Sequence, residues 1–181
     1  MSLPKRIAID AMGGDGGVRV TLPAALRALE LNSDLSVTLV GDKSQIEPYL
    51  DSISATLADR TSIDHTLDVI SDADKPAQVL RSGKTSSMYK AVKLLQSGRV
   101  EAMVSAGNTG ALLMIGRHLL KTISGIQKPA IVASIPGATR QCFLLDVGAN
   151  PQVDAQQLFE FAVMGSVLAE SLQGEIAKVG L

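Results

Sequence analysis

Tryptophan is absent from this chain of 181 residues, and tyrosine and phenylalanine bring the aromatic share to only 3%. Without rings for bases to stack on, a nucleic-acid surface would have to rest on positive charge. That is lacking as well. Seventeen Lys and Arg stand against 18 Asp and Glu, a formal net charge of −1, so nucleic-acid binding is disfavoured. A single cysteine excludes an intrachain disulfide and a cysteine-rich metal site. No run approaches the roughly 18 apolar residues of a membrane-spanning helix. The N-terminal segment does not read as a signal peptide, because the apolar stretch after Lys5 and Arg6 breaks at Asp10. A cytoplasmic location is expected. Peripheral association at the inner face of the membrane stays open, since it needs only one amphipathic helix.

What is present is enough apolar content to form a core. Hydrophobic residues make up 46%, and the chain is expected to form a single α/β domain over residues 1–181. Short β-branched runs alternate with longer helical periods. Strands are expected at 6–10, 36–40, 62–64, 101–104, 130–134 and 142–147, and helices at 21–31, 43–50, 86–96, 110–121 and 155–172. This alternation implies a three-layer fold, a mostly parallel sheet with helices on both faces. Right-handed crossovers then put every strand-to-helix turn on one edge of the sheet. The turns at 10–15, 41–42, 105–110 and 146–150 are therefore expected to line one crevice. Residues 51–81, rich in charges and turn formers, read as a flap or small excursion. In the last helix Leu158, Phe161, Ala162, Gly165, Leu168 and Leu172 form one apolar face, Asp154 can cap it, and Pro151 marks the preceding turn. Residues 175–181 read as the opening of another strand, so a longer polypeptide is expected. An unpaired strand edge there would favour self-association.

The chemistry is concentrated in glycine turns. A strand that stops at glycines and restarts as a helix leaves backbone N–H groups unpaired at the helix N-terminus, where an anion binds with little help from side chains. Asp10-Ala-Met-Gly-Gly-Asp15 is one such turn. Its Gly13 and Gly14, followed by Gly16 and Gly17, do not fit the dinucleotide fingerprint. Either the glycines supply positive φ with Asp15 as a helix cap, or the turn holds an anion; spacing leaves both open. Ser105-Ala-Gly-Asn-Thr-Gly110 is richer, with Ser105, Gly107, Asn108, Thr109 and Gly110 offering neutral donors and bare backbone at a helix start, while an Asn or Thr helix cap would account for two of them. Asp146-Val-Gly-Ala-Asn150 repeats the logic, with Asp146 and Asn150 flanking a glycine.

Other candidates are weaker. Gly83-Lys-Thr85 resembles the end of a P-loop but has Gln78 where the first glycine belongs, and it follows no strand. Ser82, Ser86 and Ser87 with Lys84 stay open to phosphate, with Ser86 also readable as a cap. Cys142 lies in an apolar run and reads as a core residue rather than a nucleophile. His65 and His118 have no partner at ligand spacing, and no metal or other cofactor is expected.

Several of these residues together resemble the phosphate acyltransferase family of bacterial phospholipid synthesis, the PlsX type. The pieces are Ile-Asp-Ala-Met-Gly-Gly-Asp15, Ser86-Ser-Met88, Ser105-Ala-Gly-Asn-Thr-Gly-Ala-Leu112, Gly125-Ile with Lys128-Pro-Ala130, Leu145-Asp-Val-Gly-Ala-Asn150 and Phe161-Ala-Val-Met-Gly165. The family usually has a proline soon after its Met-Gly-Gly-Asp, where this chain has Gly16-Gly17-Val18. The loop between Pro136 and Gln141 is short. The resemblance implies a fold similar to isocitrate dehydrogenase and phosphotransacetylase, homodimers, and a chain about twice this length. It implies conversion of long-chain acyl-[acyl carrier protein] and inorganic phosphate to acyl phosphate, with free carrier protein released. Asn108 and Thr109 would then orient phosphate or the thioester oxygen. Asp10, Gly13, Gly14, Asp15, Ser86, Ser105, Gly107, Gly110, Asp146 and Asn150 would shape or line the phosphate site. Asp10, Asp15 and Asp146 are expected to accept backbone N–H bonds rather than face a dianion. Two alternatives stand beside this: a coenzyme A-dependent phosphotransacylase, and a catalytically incomplete interaction fragment.

Overall fold

The computed structural model describes residues 5–138, 140–150 and 152–180, without the side chains of residues 76 and 77. The readings placed on residues 1–4, Pro151 and Leu181 lie outside the described residues. The chain divides into two compact units, Met1–Leu120 and Lys121–Leu181.

The first unit carries strands β1 (Lys5–Asp10), β2 (Leu35–Gly41), β3 (Thr61–His65) and β4 (Ala102–Val104). They form one sheet in the order β3-β2-β1-β4, parallel at every pairing. Between them run helices α1 (Val18–Leu31), α2 (Lys43–Leu50), α3 (Ala55–Ala58), α4 (Pro76–Ser82) and α5 (Ser87–Gln96); α6 (Thr109–Leu120) follows β4. The two-residue period of the strands sorts the core. Ile7, Ile9, Leu35, Val37 and Leu39 face α1 and α2, where Leu22, Leu29 and Ile46 are fully buried. Ala8 and Val40 face the other way, against Ala91 and Leu94 of α5. A third cluster joins Ile70, Val79, Met88, Val92 and Ile115 where α4, α5 and α6 meet. The result is the expected three-layer α/β arrangement. Each fully buried Leu or Ile contributes about 1.5–3 kcal/mol relative to exposure.

Residues 51–81 are more ordered than a flap. They contain α3, β3 and part of a packed crossover. The Arg60 guanidinium donates to the carbonyls of Leu29, Asn32 and Leu35 at 3.0, 2.8 and 2.9 Å. The charge that made this stretch look irregular instead satisfies the open C-terminal end of α1.

The second unit corrects the sequence reading. β5 (Val132–Pro136) and β6 (Gln141–Leu145) do not join the parallel sheet but pair with each other, antiparallel, with Val132 opposite Leu145. Only residues 137–140 connect them, Thr139 among them outside the described residues, whereas a parallel pair needs a crossover of roughly a dozen residues or more. Cys142 is exposed on this hairpin, not in a core. Helix α7 (Ala155–Gln173) begins as expected at Asp154, whose side chain accepts the Gln157 N–H in a reciprocal capping box, and it ends at Gly174 with φ 72°. Its expected apolar face is only partly realised. Phe161 is buried, but Leu158 and Leu172 are exposed. Residues 176–180 form no strand.

Candidate functional site

The register of β1 and β4 builds the site. Ile9 pairs with Val104, so Asp10 and Ser105 leave the two strands side by side. The Ser105 hydroxyl donates to Asp10 Oδ2 at 2.7 Å and accepts the Gly107 N–H at 3.1 Å. The two glycine turns interlock around this link. A Cβ on Gly13 would lie 2.7 Å from Asp10 Oδ2 and 2.9 Å from the Gly107 nitrogen, so no larger residue fits without displacement. Gly14 has φ 81°, the left-handed region where a side chain is strained. The β2–α2 turn joins the same edge, with Met12 packed against Gly41. The shared edge is therefore found for the turns at 10–15, 41–42 and 105–110. The turn at 146–150 follows a strand of the other sheet, and the expectation of a single parallel sheet does not hold for it.

What remains open at this edge is backbone. Gly13 N–H bonds to Asp10 O and Gly17 N–H to Gly14 O. Between them Gly14, Asp15 and Gly16 have no backbone partner for their N–H groups among the described residues. Helix α1 starts at Val18 after Gly17, with no side-chain cap. Val20 and Thr21 N–H return to Gly17 O, so Val18 and Arg19 keep first-turn N–H groups without partners inside the helix. Asp15 is exposed and stands too early to cap, contrary to that reading. The sequence reading started this helix at Thr21 and so missed those donors. The Gly16-Gly17 pair directly before Val18 was the available signal. Thr21 also ties the turn, its hydroxyl donating to Ala11 O at 2.6 Å.

At α6 the side chains are engaged by the fold. Asn108 Oδ1 accepts the Ala111 N–H at 3.0 Å, and its Nδ2 donates to the carbonyls of Ser71 and Asp74, each at 3.1 Å, and to that of Asp72 at 3.4 Å. Asn108 thus caps the helix and holds residues 71–74. The N–H groups of Thr109 and Gly110 are left at the helix start without intrahelical partners. Ser86, 1% exposed, donates to Gly83 O and caps α5 by accepting the Tyr89 N–H. Thr85 donates to Asp68, so Gly83-Lys-Thr85 makes no phosphate cradle. Asp10 accepts a hydroxyl rather than the backbone N–H expected of it.

Two of the charges near this edge are held by local partners. Lys90 Nζ contacts Asp64 at 2.6 Å and donates to His65 O, while His65 Nδ1 accepts the Lys43 N–H. Hydrogen bonds from Gln45 and Ser44 hold the Asp42 carboxyl below the usual range. At the opposite end of β1, Arg6 and Glu101 pair; the hydrogen bond between them raises the Arg6 guanidinium and lowers the Glu101 carboxyl. Among the described residues no three His, Cys, Asp or Glu gather as metal ligands. Among the described residues no helix is long and apolar enough to cross a membrane. A depression of about 580 Å³ is lined by Leu26, Glu30, Leu57 and Arg60 and belongs to the C-terminal end of α1, not to the glycine turns.

In the second unit Asp146 adopts φ 59° and accepts the Asn150 N–H at 3.2 Å, as expected of a carboxylate that shapes its turn. Asn150 Nδ2 donates to Asp146 Oδ1 at 3.0 Å and to Pro129 O at 3.1 Å, so both amide protons serve the loop.

A family profile described as "Fatty acid synthesis protein" matches residues 5–181. Proteins named phosphate acyltransferase from Shewanella baltica strains OS155 and OS185 are each 51% identical to this chain over 167 residues, covering 92% of it and 49% of their own length. One from Shewanella sp. strain W3-18-1 is 50% identical over the same span. The chain spans about half the length of the curated relatives it matches.

Proposed function

The chain belongs to this fatty acid synthesis protein family, and from that premise we propose that it carries the phosphate-holding part of an acyl-[acyl carrier protein]:phosphate acyltransferase. The single observation that carries the reading is the interlock of residues 10–17 with 105–110. It leaves the N-terminus of α1 without a side-chain cap and a run of turn amides beside the first N–H groups of α6. Such an array suits a compact dianion, because it supplies several directed N–H donors and the positive ends of two helix dipoles.

The reaction needs little more from the protein. A phosphate oxygen attacks the thioester carbonyl carbon, the carbon–sulfur bond breaks, and the carrier thiolate takes the proton that phosphate carried. Acyl phosphate and free carrier thiol are the products. No protein nucleophile is required, so catalysis rests on positioning and on donors for the tetrahedral oxyanion. We assign phosphate to the amides of Gly14, Asp15 and Gly16 and to the start of α6, with the Thr109 hydroxyl closest in kind to an oxyanion donor. Asp10, Gly13, Ser105, Gly107 and Asn108 shape those turns. Asp146 and Asn150 shape the turn of the second unit. Acyl carrier protein as acyl donor and a homodimeric state belong to this proposal and are supported by the family resemblance; peripheral contact with the membrane belongs to it too and needs only one amphipathic helix.

The test is consumption of acyl-[acyl carrier protein] by the full-length Shewanella baltica OS155 relative, with and without inorganic phosphate, beside phosphate titration of this chain. Phosphate-dependent loss of thioester in the first and saturable binding in the second support the proposal. Turnover independent of phosphate would contradict it.

A further inference from the structure

One segment of the first unit has its polarity reversed. Between β3 and α4, Thr66 and Ile70 are buried, whereas Leu67 is 70% and Val69 45% exposed. The even-numbered positions are all engaged. The Thr66 hydroxyl donates to Thr85 O at 2.6 Å, Asp68 accepts the Thr85 hydroxyl, and the Asp68 carbonyl takes the Ser87 N–H at 2.9 Å. Ile70 clusters with Val79 and Met88. The backbone is thus pinned at three successive alternate residues, and the two apolar side chains between them are left in water. That is the reverse of what burial favours.

The position of this segment gives the exposure a use. It leaves β3, at one end of the sheet order, and reaches the start of α6, which follows β4 at the other end. Near β3 the Thr66 N–H donates to the carbonyl of Gly41, the last residue of β2. At the far end the Ser71 and Asp74 carbonyls both accept from Asn108 Nδ2, and the Asp74 carboxylate takes the Ser71 N–H at 2.8 Å. From β3 to β4 is three strand spacings, about 14 Å. The five residues from 66 to 71 span about 16 Å when extended, so the segment crosses nearly straight. It runs along the same sheet edge as the glycine turns and is tied to the residue directly before Thr109.

We propose that Leu67 and Val69 form the track on which the acyl chain of the substrate lies. The proposal rests on the reading that phosphate is held by the interlocked turns and the start of α6. The relatives are named phosphate acyltransferase, and an acyl chain whose carbonyl is placed at Thr109 gains by lying on apolar surface that leads away from that point. Contact removes both the chain and the two side chains from water. The carboxylates of Asp68 and Asp74 hold the segment in place, so the acids in this stretch serve its backbone while its apolar residues face outward.

The probe is dodecyl phosphate, kept below its micelle concentration, beside inorganic phosphate. Both are titrated calorimetrically into the native chain, the Leu67→Ser/Val69→Ser double variant and Leu31→Ser, with a thermal melt of each. Leu31 is 66% exposed at the C-terminal end of α1 and serves as the control. Dodecyl phosphate is expected to bind the native chain about tenfold or more tighter than inorganic phosphate. In the double variant that advantage should shrink to about threefold or less, with inorganic phosphate affinity and melting temperature as in the native chain. Leu31→Ser should keep the full advantage. An advantage that survives the double variant, or that Leu31→Ser removes equally, overturns the proposal. So does the lack of any advantage in a native chain that binds inorganic phosphate. Loss of inorganic phosphate affinity in the double variant would mark the segment as a support of the turns and also overturns it. A native chain that binds neither ligand overturns the parent reading, and this proposal with it.

Discussion

The two units bury their apolar residues very differently. In Met1–Leu120 three clusters enclose Leu22, Leu29, Leu39, Ile46, Met88, Val92 and Ile115. In Lys121–Leu181 Phe161 is the one fully enclosed hydrophobic residue among those described, while Phe159, Val163 and Val167 stand exposed at four-residue steps along α7. The same contrast holds for the glycine turns. Those at 10–15 and 105–110 are tied across the sheet, Ser105 to Asp10 and Asn108 to residues 71–74. The turn at 146–150 is tied to itself and to Pro129. Rigidity comes from bonds between distant elements, and by that measure the turns of the first unit are the more firmly held.

The largest effect that would sharpen this contrast is in the cores. Leu39→Ala should cost about 2–5 kcal/mol, because it removes a fully buried side chain and leaves a cavity. Val167→Ala, 60% exposed, should stay within about 0.5 kcal/mol. Urea unfolding followed by circular dichroism reads both. Similar losses for the two would erase the distinction between the units.

Gly13→Ala comes next. The added methyl must displace Asp10, Ser105 or the Gly107 backbone, at about 1–3 kcal/mol. Phosphate binding should fall with it. A variant with native stability and native phosphate affinity would show that the two turns are not interlocked.

The two asparagines then set one turn against the other. Asn108→Ala loses a helix cap and the clamp on residues 71–74, about 2 kcal/mol, and should open that segment to limited proteolysis. Asn150→Ala loses a local tie, about 1 kcal/mol. Faster cleavage near 146–150 than near 71–74 in the respective variants would reverse the comparison.

Much of this was legible in the sequence. The alternation of short apolar runs and helical periods located the four parallel strands and the helices α1, α2 and α5 between them, but not the short α3 and α4. The glycines at 13, 14 and 107 marked the place where the loops meet. Two things were not legible. The strands read at 130–134 and 142–147 were placed with the others in one mostly parallel sheet, although the stretch between them is too short for a crossover and they pair as a hairpin. The occupation of Asn108 and Ser105 was hidden because their partners, at Ser71 and Asp10, are set by tertiary contacts and not by spacing, whereas Ser86, readable as a cap, bonds within three residues of itself. A polar side chain at a helix start can serve ligand or cap, and only its partners decide between them.

The smallest expected effect is with pH. Glu101 and Asp42 are held below the ordinary carboxylate range in the folded protein, by Arg6 and by Gln45 with Ser44. Their stabilisation is therefore complete above the unfolded carboxylate pKa and is lost as the pH falls through the lowered folded values. Both groups are exposed, so the slope should be shallow. Glu101→Gln should flatten it further in melts taken between neutral and acid pH. An unchanged slope would mean that the pair contributes nothing.

The central claim is that phosphate sits on the backbone amides of the interlocked turns in the first unit. Titration of the 15N-labelled chain with inorganic phosphate, followed amide by amide, tests it most directly. The account predicts saturable shifts concentrated at Gly14, Asp15, Gly16, Thr109 and Gly110. Shifts confined to residues 146–150, or no saturable shift at all, would contradict it.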